Sequence, residues 1–346
     1  MKDLKKKYGY TFMLLILAAI VIIFFTITKG KQFWKPTVWQ GMTVQFPEYG
    51  IMALGLMFCF ICGKMDMSFM MLADFATVMA VRYIVGHVTE GMPNSQVGGI
   101  IAVGCLIAVA IAVVGGIING LLVTQLNIPP VMATISMQMV WLGMSTALTR
   151  GDTVTGLPTL YTEIGHKQLF GWLPLPMLIF IILFIICALV LKYTVYGEKI
   201  YMIGTNEKAA KFSGIDTTAT IIKTYVICDV LATVGALIMV STMASAKADY
   251  GTSYVTRCIL ILVLAGVLPN GGMGKILNVL ITIITIQIIA TGVNLFPNLN
   301  TYYASLIWGG LLVIVLILST RMVEGQLVLF KKKGPDTKSR KLFKND

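Results

Sequence analysis

Residues 201–216 read YMIGTNEKAAKFSGID, a polar island near the middle of a chain that is otherwise almost continuous hydrocarbon. A helix can start from a cap at Asn206 or at the Thr before it, with Glu207 in its first turn and Lys211 in its last. Glu207 and Lys211 are four residues apart, a spacing that allows them to pair, and Gly214 supplies a stop. The pattern predicts a helix of about two turns, too short to be stable alone in water.

The surface of this short helix suits docking into another protein. Two small side chains, Ala209 and Ala210, stand beside the bulky Phe212. A short helix held between two membrane spans gains its stability from tertiary contacts. We expect the docking contacts to come from the following residues: Asn206, Glu207, Lys208, Ala209, Ala210, Lys211, Phe212, Ser213 and Gly214.

The composition is that of an integral membrane protein. Of 346 residues, 57% are hydrophobic and 12% are charged, against about 25% charged in a soluble chain, and the mean hydropathy is +0.85. Apolar runs of about 20 residues recur along the chain, which favours a helical bundle over a barrel. We predict an all-α, polytopic bundle that forms a single domain, 1–346, with about ten spans. The predicted spans are roughly 10–28, 46–62, 65–85, 97–123, 129–149, 174–195, 219–243, 254–268, 276–295 and 302–320.

The third and eighth of these spans are the least regular. The third, 65–85, contains Asp66 and Asp74, and the eighth, 254–268, is short and ends in a Gly-rich break. Either pattern is compatible with a broken or re-entrant helix, because irregular backbone is tolerated at membrane depth where protein buries it. The first span, 10–28, is followed by no small-x-small cleavage site, so we interpret it as uncleaved rather than as a signal peptide.

The distribution of basic residues predicts the topology. With both termini in the cytoplasm, 19 of the 27 Lys and Arg fall on the cytoplasmic side and 8 on the other, as the positive-inside rule requires. Lys29, Lys31 and Lys35 together go against this bias. The island 201–216 then lies in the cytoplasm, and the basic tail 321–346 faces an anionic leaflet. The net charge of +12 is explained by membrane lipid, and no nucleic-acid partner is needed.

No catalytic or cofactor-binding motif that we tested matches the sequence. His87 and His166 fit no HExxH or zinc spacing, and no GxSxG elbow occurs. The run GGMGK at 271–275 invites a phosphate-loop interpretation. That motif requires Gly and a hydroxyl residue where this chain has Pro269 and Ile276. We therefore expect no enzyme activity, no bound metal and no cofactor on this chain.

Polar residues inside the predicted spans are better candidates for function, because each is costly in lipid and tends to face a partner or a pathway. The alternative is that they bond neighbouring helices, as the small Gly116 and Gly120 pack them, or that Lys64 pairs with Asp66. Further polar positions within spans are Asp74, Asp229 and Gln287. The candidate translocation path comprises Lys64, Asp66, Ser68, Asn119, Gln138 and Asn294.

Four segments, in order, resemble one known family. Residues 63–68 read GKMDMS, similar to the pattern G-G-I-D-L-S-x-G, and residues 119–134 contain NGLLV followed by IPPVMAT, like N-G-x-L-V…I-P-x-F-I-A-T. Residues 204–215, GTNEKAAKFSGI, resemble G-x-N-x-x-A-A-x-x-S-G-I, and residues 265–274 resemble a G-G-x-x-x-x-G-G-x-G turn. Together they resemble the permease subunits of bacterial ABC importers for simple sugars of the ribose, galactose and xylose type.

This resemblance implies a type II-like permease in the bacterial inner membrane. The family's permeases pair as homo- or heterodimers, with the substrate path between the two protomers. An extracytoplasmic binding protein delivers the solute. A separate cytoplasmic ATPase, which carries the ATP and Mg, docks on a coupling helix that corresponds here to Asn206–Gly214 within 201–216.

The chain departs from the family pattern at the third span. Lys64 and Met70 stand where the family has Gly, so the resemblance does not specify ribose or galactose as the substrate. A cation at Lys64 favours a more polar or anionic sugar derivative. The alternatives are an importer of nucleosides, autoinducer-type molecules or branched-chain amino acids. A self-contained secondary transporter or channel is a further alternative, although it would have no use for a docking helix.

Overall fold

The computed structural model describes residues 2–89, 91–169, 173–296, 306–313 and 315, and these form a helical bundle. A two-residue hairpin, β1 (Gln168–Leu169) with β2 (Leu173–Pro174), accompanies the helices. The helices in chain order are α1 (Lys2–Lys29), α2 (Pro36–Cys62), α3 (Phe69–His87), α4 (Asn94–Thr124), α5 (Pro130–Thr149), α6 (Thr159–His166), α7 (Leu175–Tyr193), α8 (Val195–Thr205), α9 (Glu207–Phe212), α10 (Thr217–Met243), α11 (Thr252–Leu264) and α12 (Ile276–Asn294).

Within the described residues, eight helices are long and apolar enough to cross a membrane. The predicted eighth span, 254–268, differs: its helix α11 has 13 residues, about 20 Å, whereas a full span needs about 20 residues. Of the predicted tenth span, 302–320, residues 306–313 are helical. The predicted basic tail, 321–346, lies outside the described residues. The all-α polytopic bundle is confirmed, with an approximate span count.

Helix α2 is the centre of the bundle, and every residue from Phe46 to Cys62 is buried. It begins ten residues before the predicted start of the second span because Pro36 stands at the first turn, where its fixed φ favours a helix and its missing N–H is no loss. The helix continues through Pro47, which is tolerated in a membrane helix when its neighbours pack around it.

Helix α10 packs so closely against α2 and α4 that its backbone contacts glycines of both helices. A Cβ on Gly55 would lie 2.7 Å from the Cys228 carbonyl oxygen, and one on Gly116 would lie 2.6 Å from the Val226 Cα. Gly120 meets the next turn of α10 in the same way. These contacts confirm that the small residues of α4 form a packing face, which lets two membrane helices approach closely.

The chain between α2 and α3 is not helical, and this corrects the start of the predicted third span, 65–85. Gly63 ends α2 with φ +69°, a conformation that favours glycine. The Asp66 carboxylate then accepts hydrogen bonds from the Ser68 N–H and hydroxyl. Such local bonds compete with the helix, so α3 starts at Phe69, and residues 63–68 form a link in which Asp66 and Ser68 are buried.

Candidate functional site

A polar cluster lies inside the bundle where the 63–68 link meets α4. Asp66 Oδ1 accepts from the Ser68 backbone N–H at 2.7 Å and from its hydroxyl at 2.8 Å. The Asn119 amide donates to Ser68 Oγ at 2.8 Å and to Asp66 Oδ2 at 3.4 Å. All three residues are 0% exposed. The structure therefore brings together three of the six predicted path residues.

Helix α10 adds Asp229 to this cluster. Asp229 is 0% exposed, and neither carboxyl oxygen has a hydrogen-bond partner among the described residues; the same holds for Asn119 Oδ1. Ligand atoms of Asp66, Cys228 and Asp229 lie within 4.8 Å of one another. Three donors without His make an incomplete set for a structural zinc site. In this conformation the cluster is closed to solvent and joins the 63–68 link to α4 and α10.

The other predicted path residues lie elsewhere. Lys64 Nζ pairs with Glu207 Oε2 at 2.8 Å, so the alternative in which it pairs with Asp66 is wrong. Gln138 is half-buried on α5, and Asn294 is exposed at the end of α12. Asp74 accepts from the Gly251 N–H at 2.8 Å. Whether any of these residues lines a path stays a prediction.

A second polar cluster surrounds Glu48, halfway along α2. Glu48 is 3% exposed, and its carboxylate accepts from the Thr242 hydroxyl at 2.5 Å and from the Tyr254 hydroxyl at 3.0 Å. The Arg257 guanidinium lies over the rings of Tyr254 and Trp308, at 5.7 Å and 4.8 Å from their centroids. A cation held between aromatic faces gains from their quadrupoles.

Sequence reasoning missed this second cluster. Arg257, one of the 8 basic residues assigned to the side opposite the cytoplasm, lies on α11 and faces Tyr49 at the midpoint of α2. A cavity of about 40 Å³ beside it is lined by Gln45, Asn294 and Trp308. The signal was available for Glu48, since a carboxylate within an apolar run is a costly group that needs partners.

The polar island folds as the short helix α9. Asn206 caps it, accepting from the Ala209 N–H at 3.0 Å, and Gly214 follows it with φ +80°. Ala210 is 4% exposed and faces inward, while Phe212 is 93% exposed. The exposed ring has no protein cover within the described chain, as a docking surface requires.

Helices α8 and α9 are tied to the end of α2. A Cβ on Gly204 would overlap the Ile61 carbonyl oxygen, so only glycine allows this approach. The Gly272 N–H donates to the same oxygen at 2.8 Å, and the Tyr201 hydroxyl donates to the Gly274 carbonyl at 2.8 Å. The run 271–275, which does not match the phosphate-loop motif, thus belongs to a turn that holds α8 against α2.

The fold and these two regions define a class, a multi-pass helical membrane permease. The chain belongs to the family described as the permease component of branched-chain amino acid transport systems, which matches residues 38–316. No solved structure matches the chain.

Relatives of this chain are import permeases. The ribose import permease protein RbsC of Bacillus subtilis is 30% identical over 306 residues, which cover 88% of this chain and 91% of that protein. The autoinducer 2 import system permease protein LsrD of Photorhabdus luminescens is 26% identical over 321 residues, covering 91% and 92%. The protein of the same name from Yersinia pseudotuberculosis is 26% identical over 322 residues, also covering 91% and 92%.

The predicted family and function are thereby confirmed. The chain is a membrane permease subunit of an ABC importer, a multi-pass protein of the inner membrane. Its family is one of transport permeases rather than of enzymes. Membership of a family of ABC importer permeases implies, in general terms, an ATPase and a binding protein as partners. The docking residues, the dimer and the orientation of the termini stay predictions.

Proposed function

We propose that this permease imports a simple sugar or a sugar-like solute. An extracytoplasmic binding protein delivers the solute, and ATP hydrolysis in a cytoplasmic ATPase powers its passage between two permease protomers. Both termini lie in the cytoplasm. The substrate class rests on relatives whose names state ribose and autoinducer 2 import. Nucleosides and branched-chain amino acids are the alternatives within the family.

The exposed ring of Phe212 on α9 is the observation that carries the proposal. In the proposed topology this helix lies on the cytoplasmic side, where the ATPase binds, and its residues 206–214 are the contact. A ring that is 93% exposed on a six-residue helix is costly to leave in water, and inserting it into a cleft of the ATPase recovers about 1.5–3 kcal/mol.

The contacts behind α9 make it suited to transmit motion. Glu207 in its first turn is paired with Lys64, and Lys64 lies two residues before Asp66 in the same link. The Lys64 side chain is 17% exposed and that of Glu207 is 43% exposed, so solvent and salt screen this pair in part. A displacement of α9 by the ATPase then pulls on the 63–68 link and on the polar cluster it holds.

Substitution of Phe212 tests this proposal. Phe212→Asp is expected to lower ATPase co-purification and uptake at least tenfold, because a charge replaces the ring that would enter the ATPase cleft. Phe212→Leu keeps an apolar knob and is expected to retain most of both. Ala210→Glu and Gly214→Val are less clean, since Ala210 is buried and Gly214 has a positive φ, so each disturbs the loop itself. Normal coupled uptake in Phe212→Asp, or uptake without an ATPase, would contradict the proposal.

A further inference from the structure

An apolar groove runs along the outside of the bundle between α2, α7 and α12. Its volume is about 270 Å³, and its walls include Trp39, Phe46, Phe180 and Ile284. On α12 the lining extends from Leu280 to Ile288, eight residue steps or about 12 Å of helix. One leaflet of a membrane has a hydrocarbon depth of about 15 Å, so the groove matches a straight acyl chain in length and polarity.

One end of the groove has a hydrogen-bond donor without a partner. The indole Nε1 of Trp39 is buried, and its N–H donates to no acceptor among the described residues. Trp39 is stacked on Trp34, with ring centroids 5.4 Å apart, which fixes the indole at this end. A glycerol ester carbonyl or a phosphate oxygen above an acyl chain is an acceptor at the corresponding depth, since indole rings sit at the headgroup level.

The same end carries the basic residues that go against the charge bias of the chain. Lys35 is the N-cap of α2 and stands one turn before Trp39, and Lys31 lies on the short 3-10 turn Gly30–Gln32 between α1 and α2. Both side chains are exposed, and neither forms an ion pair within the described residues. Lys29 instead lies over the Phe296 ring. Free lysines at a membrane surface attract anionic headgroups.

We propose that this groove binds one anionic phospholipid of the phosphatidylglycerol type. One acyl chain lies in the groove, its ester or phosphate accepts from Trp39, and its phosphate is held by Lys31 and Lys35. In the proposed topology the lipid belongs to the extracytoplasmic leaflet. The site accounts for lysines on the side where the positive-inside rule disfavours them, and it is independent of the substrate and of the ATPase.

Native mass spectrometry of the purified chain, with equimolar phosphatidylglycerol and phosphatidylcholine, tests the site. The wild type is expected to retain one phosphatidylglycerol with a preference of about tenfold. Lys31→Gln with Lys35→Gln should abolish the preference, whereas Arg150→Gln with Lys167→Gln, at the same end of the bundle, should keep it. Ile284→Trp fills the groove and should lower retention of the lipid, whereas Leu277→Trp on the same helix should not.

Several results would overturn the proposal. The first is equal retention of both lipids by the wild type. The second is an equal loss of the phosphatidylglycerol preference in Lys31→Gln with Lys35→Gln and in Arg150→Gln with Lys167→Gln. The third is unchanged lipid retention in Ile284→Trp. Retention of cardiolipin alone would overturn the single-phosphate headgroup. A dimer interface over the groove would also overturn it, and it would appear as protomer cross-links at Ile284→Cys without any lipid retained.

Discussion

Helices α5 and α7 are equally exposed but differ in composition. In the most apolar window of each, 22% of the residues are buried, yet the mean hydropathy is 1.3 for α5 and 2.9 for α7. From Ile181 to Leu189 the exposed residues of α7 are aliphatic, as in Ile182 and Ile185, which suits lipid. The exposed face of α5 includes Ser136 and Gly143. Exposure in an isolated membrane chain therefore does not identify the medium, and composition separates a lipid face from one that meets protein or water.

The spacing on α5 favours a second protomer as the cover of its exposed face. A Cβ on Gly143 would meet nothing within 4 Å, and Ala147 follows four residues later and is also exposed. Two small residues at this spacing let helices from two chains approach closely. Gln138, half-buried on the same helix, then lies near the interface between protomers, where the proposed path runs.

The largest expected difference between the exposed faces of α5 and α7 is in the reaction rate of an introduced cysteine. Ser136→Cys on α5 and Ile182→Cys on α7 replace exposed residues, each less than halfway along its helix. A thiol must ionise to react with a maleimide, which hydrocarbon prevents, so the α5 cysteine should react on the order of a hundredfold faster. The comparison requires a background in which Cys105, which is only partly buried, is replaced. Equal slow rates would mean that α5 faces lipid as α7 does.

A bulky side chain on each helix gives the next largest effect. Gly143→Phe is accommodated within one protomer, since the space around its Cβ is empty, but it blocks a close helix contact between protomers. We expect about a tenfold loss of uptake and of the dimer fraction in detergent, whereas Leu189→Phe on the lipid face of α7 changes neither. Thermal unfolding of each variant separates a lost interface from a misfolded chain. A normal dimer in Gly143→Phe would exclude α5 from the interface.

Hydropathy was sufficient to predict the spans that are buried or apolar throughout. It failed where the chain changes direction inside the bundle. The Gly251 N–H that precedes α11 donates to Asp74, a residue 177 positions away, and no local pattern reveals this contact. For the same reason, the contact of Arg257 with the Tyr49 ring on α2 could not be predicted.

Part of the candidate site could be predicted from the sequence. Asp66, Ser68 and Asn119 share one property that sequence alone exposes, a polar group within an apolar run, and the cost of burying such groups brings them together. The partner of Lys64 was not predictable. Glu207 is 143 residues away, and both Asp66 and Glu207 satisfied the charge requirement, so only the path of the backbone decides between them.

The smallest effect is expected at Gln138, where the test is whether a particular side chain on α5 forms a hydrogen bond to a second protomer. An amide hydrogen bond between membrane helices contributes about 0.6 kcal/mol, or roughly a threefold change in an equilibrium constant. Gln138→Leu is therefore expected to weaken the dimer about threefold if the amide bonds across the protomers. Met137→Leu, at the equally half-buried neighbouring position, should leave it unchanged. The dissociation constant measured by fluorescence transfer between labelled protomers in detergent distinguishes them. An unchanged dimer with uptake reduced in Gln138→Leu would place the amide on the substrate path, and no change in either quantity would assign Gln138 to packing within its own chain.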